Sequence, residues 1–189
     1  VNRALNSKEP LYVLTLGAPT NIASALTMEP KIRDKIIVVW LGGKGLNWNT
    51  ASEFNLMQDI LSSQILFDSG VPLIQIPTEP VTSHLSVTVP ELKFYIGGLN
   101  KISDYLVSIV DNYYSDQLGV AKILWDISVI AYVIDPTWFN IDTRTVPILT
   151  NNLTYSFTGN RHLYKVATYI NRNKVFKDLY TKFRSFREN

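Results

Sequence analysis

The clearest indication of the fold is one continuous segment, Trp40-Leu41-Gly42-Gly43-Lys44-Gly45-Leu46-Asn47-Trp48-Asn49-Thr50-Ala51-Ser52-Glu53-Phe54-Asn55. It continues an apolar run that starts at residue 36, turns at two glycines and ends in polar residues. A short apolar run closed by glycine is typical of a strand buried on both faces of a parallel sheet. Open α/β sheets bind ligands at the carboxyl ends of their strands. The loop after this strand is therefore the first place to expect a binding site.

Similar runs lie on either side of this segment. Residues 11–16 form an apolar run before Gly17, and residues 71–76 form a third run. Helical patterns separate them, from Pro19 to Pro30 and over residues 56–67, where Gly70 suits a C-terminal cap. Strands that alternate with helices at this spacing predict an α/β fold with an open, mostly parallel, Rossmann-like sheet flanked by helices.

The second half of the chain predicts longer helices and one antiparallel region. It contains no internal repeat and no linker, so we expect a single domain over residues 1–189. Helical periodicity covers residues 102–114, 127–134 and 171–186, and an alternating pattern covers 143–170 with turns at Asn151-Asn152 and Gly159-Asn160.

Composition excludes several classes of protein. The 189 residues are 46% hydrophobic and 18% charged, which is typical of a globular chain. The net charge of +2 offers no electrostatic footprint for nucleic acid. With no cysteine, the chain has neither disulfides nor thiolate chemistry. No apolar run reaches the roughly 18 residues of a membrane span, and no secretion signal is visible, so we expect a cytoplasmic protein.

Asn47, Glu53 and Asn55 are the strongest binding candidates. Carboxamides donate and accept hydrogen bonds and a carboxylate accepts them, so the three together suit a sugar with several hydroxyls. The alternative is an ordinary glycine-rich surface loop built from turn residues. Phe54 favours the binding interpretation, because an aromatic residue between two polar ones indicates a loop that packs on the core.

Two further signals lie outside this loop. Asp126 follows Trp125 at the start of an apolar helix, where it could bind a hard cation or simply cap the helix. Thr20 follows the first strand, where a backbone carbonyl could bind a cation, although a plain strand-to-helix turn explains the same residues.

In this order, the motifs resemble the nucleoside hydrolase family, the inosine-uridine N-ribohydrolases. The resemblance covers nearly the whole chain, and the motifs are specific in combination. They are Leu16-Gly17-Ala18-Pro19-Thr20-Asn21-Ile22-Ala23, Leu41-Gly42-Gly43, Asn47, Ser52-Glu53-Phe54-Asn55, Asp59, Ser69-Gly70-Val71-Pro72-Leu73, Val81-Thr82-Ser83-His84 and Trp125-Asp126.

The resemblance implies a role for each matched position. Calcium would be bound by the backbone carbonyl of Thr20 and the carboxylate of Asp126, which would also touch the ribose hydroxyls. Asn47, Glu53 and Asn55 would hold the ribose on its 5′-hydroxyl side. Leu41 would lie beneath the sugar, where the family often has methionine.

Trp125 bears on the choice of base. Many members of the family have histidine before this aspartate, and a tryptophan resembles the purine-specific branch, in which an aromatic ring stacks on the base. A stacked indole favours a protonated purine through its ring quadrupole. A tryptophan cannot donate the proton, which would then come from solvent. Tyr113, or alternatively Tyr114, would reach the edge of the base. A broader or pyrimidine preference is the alternative that Trp125 argues against.

One family signature is absent from the sequence. The Asp-x-Asp-x-x-x-Asp-Asp loop, which would bind calcium and activate water, has no counterpart here. We therefore expect this loop and the first strands upstream of Val1, which would leave residues 11–16 as an exposed apolar edge. The chain would then bind the missing segment or a copy of itself. Either it is part of an N-ribosylhydrolase acting on purine ribonucleosides, or it is a truncated, non-catalytic remnant.

Overall fold

A computed structural model describes residues 1–114, 116 and 118–186. Eight helices and nine strands are assigned among these residues, together with 3-10 turns at Pro30–Asp34, Thr82–His84 and Pro136–Trp138. The helices are α1 Asn2–Asn6, α2 Thr20–Met28, α3 Phe54–Met57, α4 Ile60–Asp68, α5 Val89–Ile96, α6 Lys101–Asp111, α7 Ile127–Ile134 and α8 Arg172–Ser185. The strands are β1 Leu11–Thr15, β2 Ile36–Leu41, β3 Leu73–Ile76, β4 Ser86–Val87, β5 Lys122–Ile123, β6 Phe139–Thr145, β7 Ile148–Leu149, β8 Tyr155–Ser156 and β9 Leu163–Ile170.

Five strands form the main sheet in the order β1-β2-β3-β9-β6. The first three neighbouring pairs are parallel, and β6 pairs with β9 in the antiparallel sense. This arrangement confirms the predicted open, mostly parallel sheet. Since β1, β2 and β3 run in the same direction, their carboxyl ends share one edge of the sheet.

The core is built on β2 and the helices that cover it. Val38, Val39 and Trp40 have no exposed surface, so this strand is buried on both faces as predicted. The ring of Trp40 meets the ring of Phe67 from α4 edge to face, with centroids 5.7 Å apart. Aromatic pairs in this geometry contribute roughly 0.5–1.5 kcal/mol beyond the area they bury.

The chain divides into two compact units. The first comprises residues 1–82 and 125–170 and contains the main sheet and the β7–β8 pair. The second comprises residues 83–124 and the described residues from Asn171 onward, and it contains α5, α6, α8 and the β4–β5 pair. The single domain that the sequence predicts stays a prediction.

The first strand differs from its predicted burial. β1 lies at the edge of the sheet, and burial alternates along it, with Tyr12 55% exposed and Leu14 38% exposed. The prediction that this strand is buried on both faces is therefore wrong, whereas the prediction of an exposed apolar edge is confirmed. Residue 71 is also too early a start for the third strand, because β3 begins at Leu73.

The predicted helix over residues 56–67 is two helices. Asp59 separates α3 from α4, because its carboxylate accepts a hydrogen bond from the backbone N–H of Ser62 at 3.0 Å and caps α4. Aspartate is among the preferred N-cap residues, and this local bond competes with a continuous helix. Gly70 follows the end of α4 with a φ of +73°, which confirms the predicted glycine cap.

The antiparallel region is also more complex than the pattern indicates. The predicted turn at Asn151-Asn152 connects β7 to β8, which form a short hairpin. The predicted hairpin at Gly159-Asn160 is wrong, because β9 pairs with β6 rather than with β8. Among the described residues, no helix combines the length and apolarity needed to cross a bilayer.

Candidate functional site

Glu53 anchors the loop that follows β2. Its carboxylate accepts hydrogen bonds from the backbone N–H groups of Asn55 at 3.0 Å and Leu56 at 3.1 Å, and so caps α3. It also accepts one from Gly43 at 2.9 Å, which ties the start of the loop to its end. A carboxylate at a helix N-terminus is further stabilised by the helix dipole. Glu53 is therefore held in place before any ligand binds.

Asn55 connects the ends of two strands. Its side chain is 9% exposed, and its amide nitrogen donates to the carbonyl oxygen of Leu16 at 3.1 Å and to that of Leu41 at 2.9 Å. Both amide hydrogens are engaged in this way, so the amide oxygen is what remains for a ligand. Leu41 is 1% exposed and offers almost no surface for the contact with a sugar that the resemblance implies.

Thr20 is bound to the same group of loops. Its hydroxyl donates to the Asp59 carboxylate at 2.5 Å, and this hydrogen bond, followed by those from Ser62, lowers the pKa of Asp59. Thr20 is also the first residue of α2. The carbonyl of a first helical residue accepts from the N–H four residues later, which here belongs to Ser24. A carbonyl oxygen has two lone pairs, so the role of this carbonyl as a calcium ligand stays a prediction.

A buried polar network supports the glycines of the loop. Gln75 of β3 has no exposed surface and donates to the carbonyl of Gly42 at 2.9 Å and to the hydroxyl of Tyr155 at 3.1 Å. The hydroxyl of Tyr164 donates to the amide oxygen of Gln75 at 3.1 Å. Burial raises the pKa of both tyrosines, so their hydroxyls stay protonated. These buried hydrogen bonds hold the backbone of the glycine loop in one position.

Asn47 lies on the exposed part of the loop and lines a cavity of about 640 Å³. Arg144 of β6 lies in the same cavity, where two of its guanidinium nitrogens donate to the Asp142 carboxylate at 2.7 and 3.2 Å. Sequence reasoning missed Arg144, because β6 comes late in the chain and only its pairing with β9 brings it to this loop. The remaining lining residues are Gly45, Leu46, Pro80, Val81, Thr145, Phe157, Thr158, Gly159, Val166, Ala167 and Thr168.

Asp126 occupies the N-cap position of α7, as the sequence predicts, but makes no side-chain capping hydrogen bond. Partial burial raises the pKa of its carboxyl above the ordinary range. The capping interpretation therefore lacks its defining bond. Trp125 beside it is half-buried, and α7 packs against β1 and β2.

Two aromatic residues do not contribute to the loop after β2 as the sequence predicts. Phe54 is 68% exposed, so the interpretation that it packs the loop on the core is wrong; Glu53 and Asn55 hold the loop instead. Tyr113 belongs to the second unit, just after α6, where the Lys122 ammonium lies 3.5 Å from the centroid of its ring.

The structure thus brings Leu41, Glu53 and Asn55 together at the carboxyl ends of β1 and β2, with Thr20 tied to them through Asp59. In the part of the chain that is described, no three His, Cys, Asp or Glu side chains cluster as a metal site. Calcium usually takes six to eight oxygen ligands, several of them carboxylates. The described residues therefore do not complete a calcium site.

Comparison with known proteins identifies relatives that match most of the chain. The profile of a family described as inosine-uridine preferring nucleoside hydrolase matches residues 1–177. The pyrimidine-specific ribonucleoside hydrolase RihA of Escherichia coli O9:H4 (strain HS) is 30% identical over an alignment of 190 positions, which covers 92% of this chain and 60% of RihA. The chain therefore spans about 60% of the length of this relative.

Solved structures share the fold. The inosine-uridine preferring nucleoside hydrolase of Bacillus anthracis matches with a TM-score of 0.77 and 21% identity, covering 97% of this chain and 63% of that one. A structure titled inosine-guanosine nucleoside hydrolase matches with a TM-score of 0.79 and 17% identity, covering 99% of this chain and 66% of that one. At these identities, the likeness concerns the fold alone.

Proposed function

The chain belongs to the inosine-uridine preferring nucleoside hydrolase family, and we propose that it supplies the ribose-binding part of an active site that hydrolyses the N-glycosidic bond of ribonucleosides. The observation that supports this proposal best is the polar loop after β2. Glu53 and Asn55 are fixed there by hydrogen bonds to the backbone, so their geometry is set in advance. Preorganised polar groups lose little entropy when a ligand binds.

Three side chains hold the sugar in this proposal. Asn47 is exposed and able to donate and accept, Glu53 accepts from a ribose hydroxyl, and the amide oxygen of Asn55 accepts a second. Asp126, whose carboxylate makes no capping bond, would face the 2′- and 3′-hydroxyls. Leu41 supports the floor from within the core rather than touching the sugar.

The reaction replaces the base on the anomeric carbon by a water oxygen. A proton from solvent first converts the bound base to its cationic form. The bond from water to C1′ then forms as the C1′–N bond breaks, the base departs as a neutral molecule, and the attacking water gives up one proton. Trp125 stacks on the base and stabilises its cationic form, as a ring quadrupole does. Tyr113 lies in the second unit, and its contact with the base stays a prediction.

Calcium is the cofactor we propose for the complete protein. Asp126 would supply a carboxylate ligand and Thr20 its backbone carbonyl, which keeps a second lone pair beside its hydrogen bond within α2. The other oxygen ligands, and the base that deprotonates water, would come from a further segment or polypeptide. To this chain we therefore assign binding and orientation only.

Purine nucleosides are the substrates that Trp125 favours, since a bicyclic base offers more area for stacking. Pyrimidine nucleosides are the second candidate, because a relative that is 30% identical over 92% of the chain is pyrimidine-specific. Turnover of inosine and uridine side by side separates these two. A uridine rate above the inosine rate would reject the purine preference.

A non-catalytic remnant is the alternative function. It is favoured by the lack of any acidic cluster of three or more residues in the part of the chain that the structure describes. Such a protein would keep the fold and bind ribose weakly without cleaving the glycosidic bond.

Ribose release from inosine, measured with calcium and with a chelator, tests the enzyme against the remnant. We expect calcium-dependent release of ribose when the protein is assayed together with the segment or polypeptide that supplies the other calcium ligands. No release at high protein concentration, despite measurable inosine binding, would favour the remnant.

Substitution of Trp125 tests its role with the base. Trp125→Ala should lower inosine turnover by on the order of ten- to a hundredfold, a typical range when one stacking contact is lost in a site. Trp138→Ala, in the 3-10 turn after α7, is the matched control. Full inosine turnover in Trp125→Ala would remove the reason to prefer purines.

A further inference from the structure

The cavity beside Asn47 has mostly apolar walls. Leu46 and Phe157 form its outer part, and Val81, Val166 and Ala167, which are at most 3% exposed, lie at its base. Its volume of about 640 Å³ is well above what a ribose hydroxyl fills. Cavities of this size and lining bind small organic ligands, with apolar contacts supplying most of the affinity.

The only ion pair among the described lining residues joins Arg144 to Asp142, and the two charges largely neutralise each other. Arg144 donates from Nε and Nη2 to the same oxygen of Asp142, at 3.2 and 2.7 Å. The carboxylate neutralises the guanidinium and would repel a phosphate placed on it. The cavity is therefore better suited to an uncharged group than to an anion.

The position of the cavity relative to the sugar follows from the residues it includes. Asn47 belongs to the proposed ribose-binding set and also lines the cavity, so the cavity adjoins the sugar in the proposed site. Neither Trp125 nor Asp126 is among the described lining residues. With the base on Trp125 and the 2′- and 3′-hydroxyls on Asp126, the remaining substituent of the ribose is the one on C5′.

We propose that this cavity binds an apolar substituent on the C5′ carbon, so that the site accepts 5′-deoxy-5′-alkylthio nucleosides. The proposal rests on the proposed ribose site, since it uses Asn47 as the shared wall. The alkyl group would lie between Leu46 and Phe157, over Val81 and Ala167. Each methylene buried there contributes roughly 0.8 kcal/mol.

Calorimetric titration of the protein with inosine and with 5′-deoxy-5′-butylthioinosine tests the proposal without requiring turnover. We expect the butylthio compound to bind about tenfold more tightly. The buried methylenes stabilise the complex by more than the loss of the 5′-hydroxyl contact destabilises it. If inosine binds and the butylthio compound binds more weakly, the cavity does not take the substituent. If neither compound binds, the ribose site itself is rejected, and this proposal falls with it.

A substitution in the cavity wall separates the cavity from the sugar site. Phe157 is 55% exposed and lines the cavity, so Phe157→Ala should fold and lose most of the tenfold gain while binding inosine unchanged. Phe94→Ala removes a ring that is 77% exposed in the second unit and serves as the matched control. An equal loss of affinity for both compounds in Phe157→Ala would contradict the assignment.

Inosine 5′-monophosphate distinguishes an apolar site from an anion site. We expect it to bind no more tightly than inosine, because Asp142 already occupies Arg144. Binding that is tighter than that of inosine and weakens as salt rises would overturn the apolar assignment, since salt screens charge pairs.

Discussion

Glu53 has a structural role and, in the proposed site, a binding role in the same carboxylate. Three backbone N–H groups, from Gly43, Asn55 and Leu56, donate to its two oxygens. A carboxylate offers about four lone-pair directions, so one acceptor position is left for a ribose hydroxyl. A side chain held this firmly loses little further freedom on binding, which explains why an anchoring residue can also be a good ligand-binding residue.

Glu53→Gln should separate the two roles. The glutamine keeps one acceptor oxygen and replaces the other by a donor that opposes the backbone N–H groups, so stability should fall by about 1–2 kcal/mol. Inosine affinity should also fall in the fraction of the variant that remains folded, which the loss of stability alone does not explain. Calorimetric titration of the folded variant measures this affinity. Glu29→Gln, which alters the capping carboxylate of the Pro30–Asp34 turn, controls for the loss of a cap. Unchanged inosine affinity in Glu53→Gln would limit Glu53 to the structural role.

Asp126 illustrates the opposite case, in which a residue costs stability where it stands. Its pKa is raised by burial, and its carboxylate lacks a capping bond. A raised carboxyl pKa means that the folded state disfavours the charged form relative to the unfolded chain. The penalty is complete above the folded pKa and disappears below the usual aspartate range. A residue kept at such a cost is a good candidate for a functional one.

Asp126→Asn should therefore stabilise the protein at neutral pH and have no effect on stability at acid pH. The gain is small, because Asp126 keeps much of its surface in water. Urea unfolding at a series of pH values measures it, and nucleoside binding by the same variant should fall. Asp34→Asn, whose side chain is 75% exposed, is the control and should change neither property. A neutral-pH stability loss in Asp126→Asn would contradict the sign derived from burial.

Among the elements, β3 carries the support of the site. Gln75 presents its amide to the Gly42 carbonyl and to two tyrosine hydroxyls, all in a buried setting. A buried polar network of this kind is stabilising only when every member has a partner. The position of the glycine loop thus depends on a fully buried side chain of the neighbouring strand.

Gln75→Leu should destabilise the protein by about 2–4 kcal/mol, because it leaves the Gly42 carbonyl and the hydroxyls of Tyr155 and Tyr164 without this partner. Thermal or urea unfolding measures the loss of stability. Inosine affinity should also fall, because the glycine loop loses its hydrogen bond from Gln75. Gln58→Leu, at an exposed position after α3, is the matched control. A stability equal to that of the unmodified protein would mean that the network contributes nothing net.

Elements whose burial is decided locally could be predicted from the sequence. β2 and α7 have the predicted bounds, because continuous apolar runs flanked by glycine, proline or aspartate leave one interpretation. β1 could be located but its burial could not, since the apolar run reads the same at the centre and at the edge of a sheet. The division between α3 and α4 depends on one Asp59 capping bond that helical periodicity does not register.

At the scale of the molecule, the site could be predicted only in its local half. Glu53 and Asn55 follow β2 directly, so the rule for strand ends locates them. The wall that faces Asn47 comes from β6 and β9, and only the antiparallel pairing of those strands brings Arg144 and Asp142 there. Long-range pairing leaves no trace in residue spacing, so neither the cavity nor its ion pair could be predicted.

The edge strand β1 is the surface from which we expect association with another strand. It presents unpaired backbone groups together with the exposed side chains of Tyr12 and Leu14. An apolar edge of this kind is a template for pairing with another strand. We therefore expect the protein to self-associate as its concentration rises, unless another polypeptide covers the edge.

Leu14→Lys should suppress that association, because a lysine on an edge strand must desolvate its charge before a second strand can pair. Sedimentation velocity over a range of protein concentrations measures the effect. Leu61→Lys places the same charge on α4, at a leucine that is 67% exposed, and should leave association unchanged. If the unmodified protein sediments as a monomer at every concentration with no second polypeptide bound, the apolar edge of β1 is tolerated in water, and the expectation of a pairing partner is wrong.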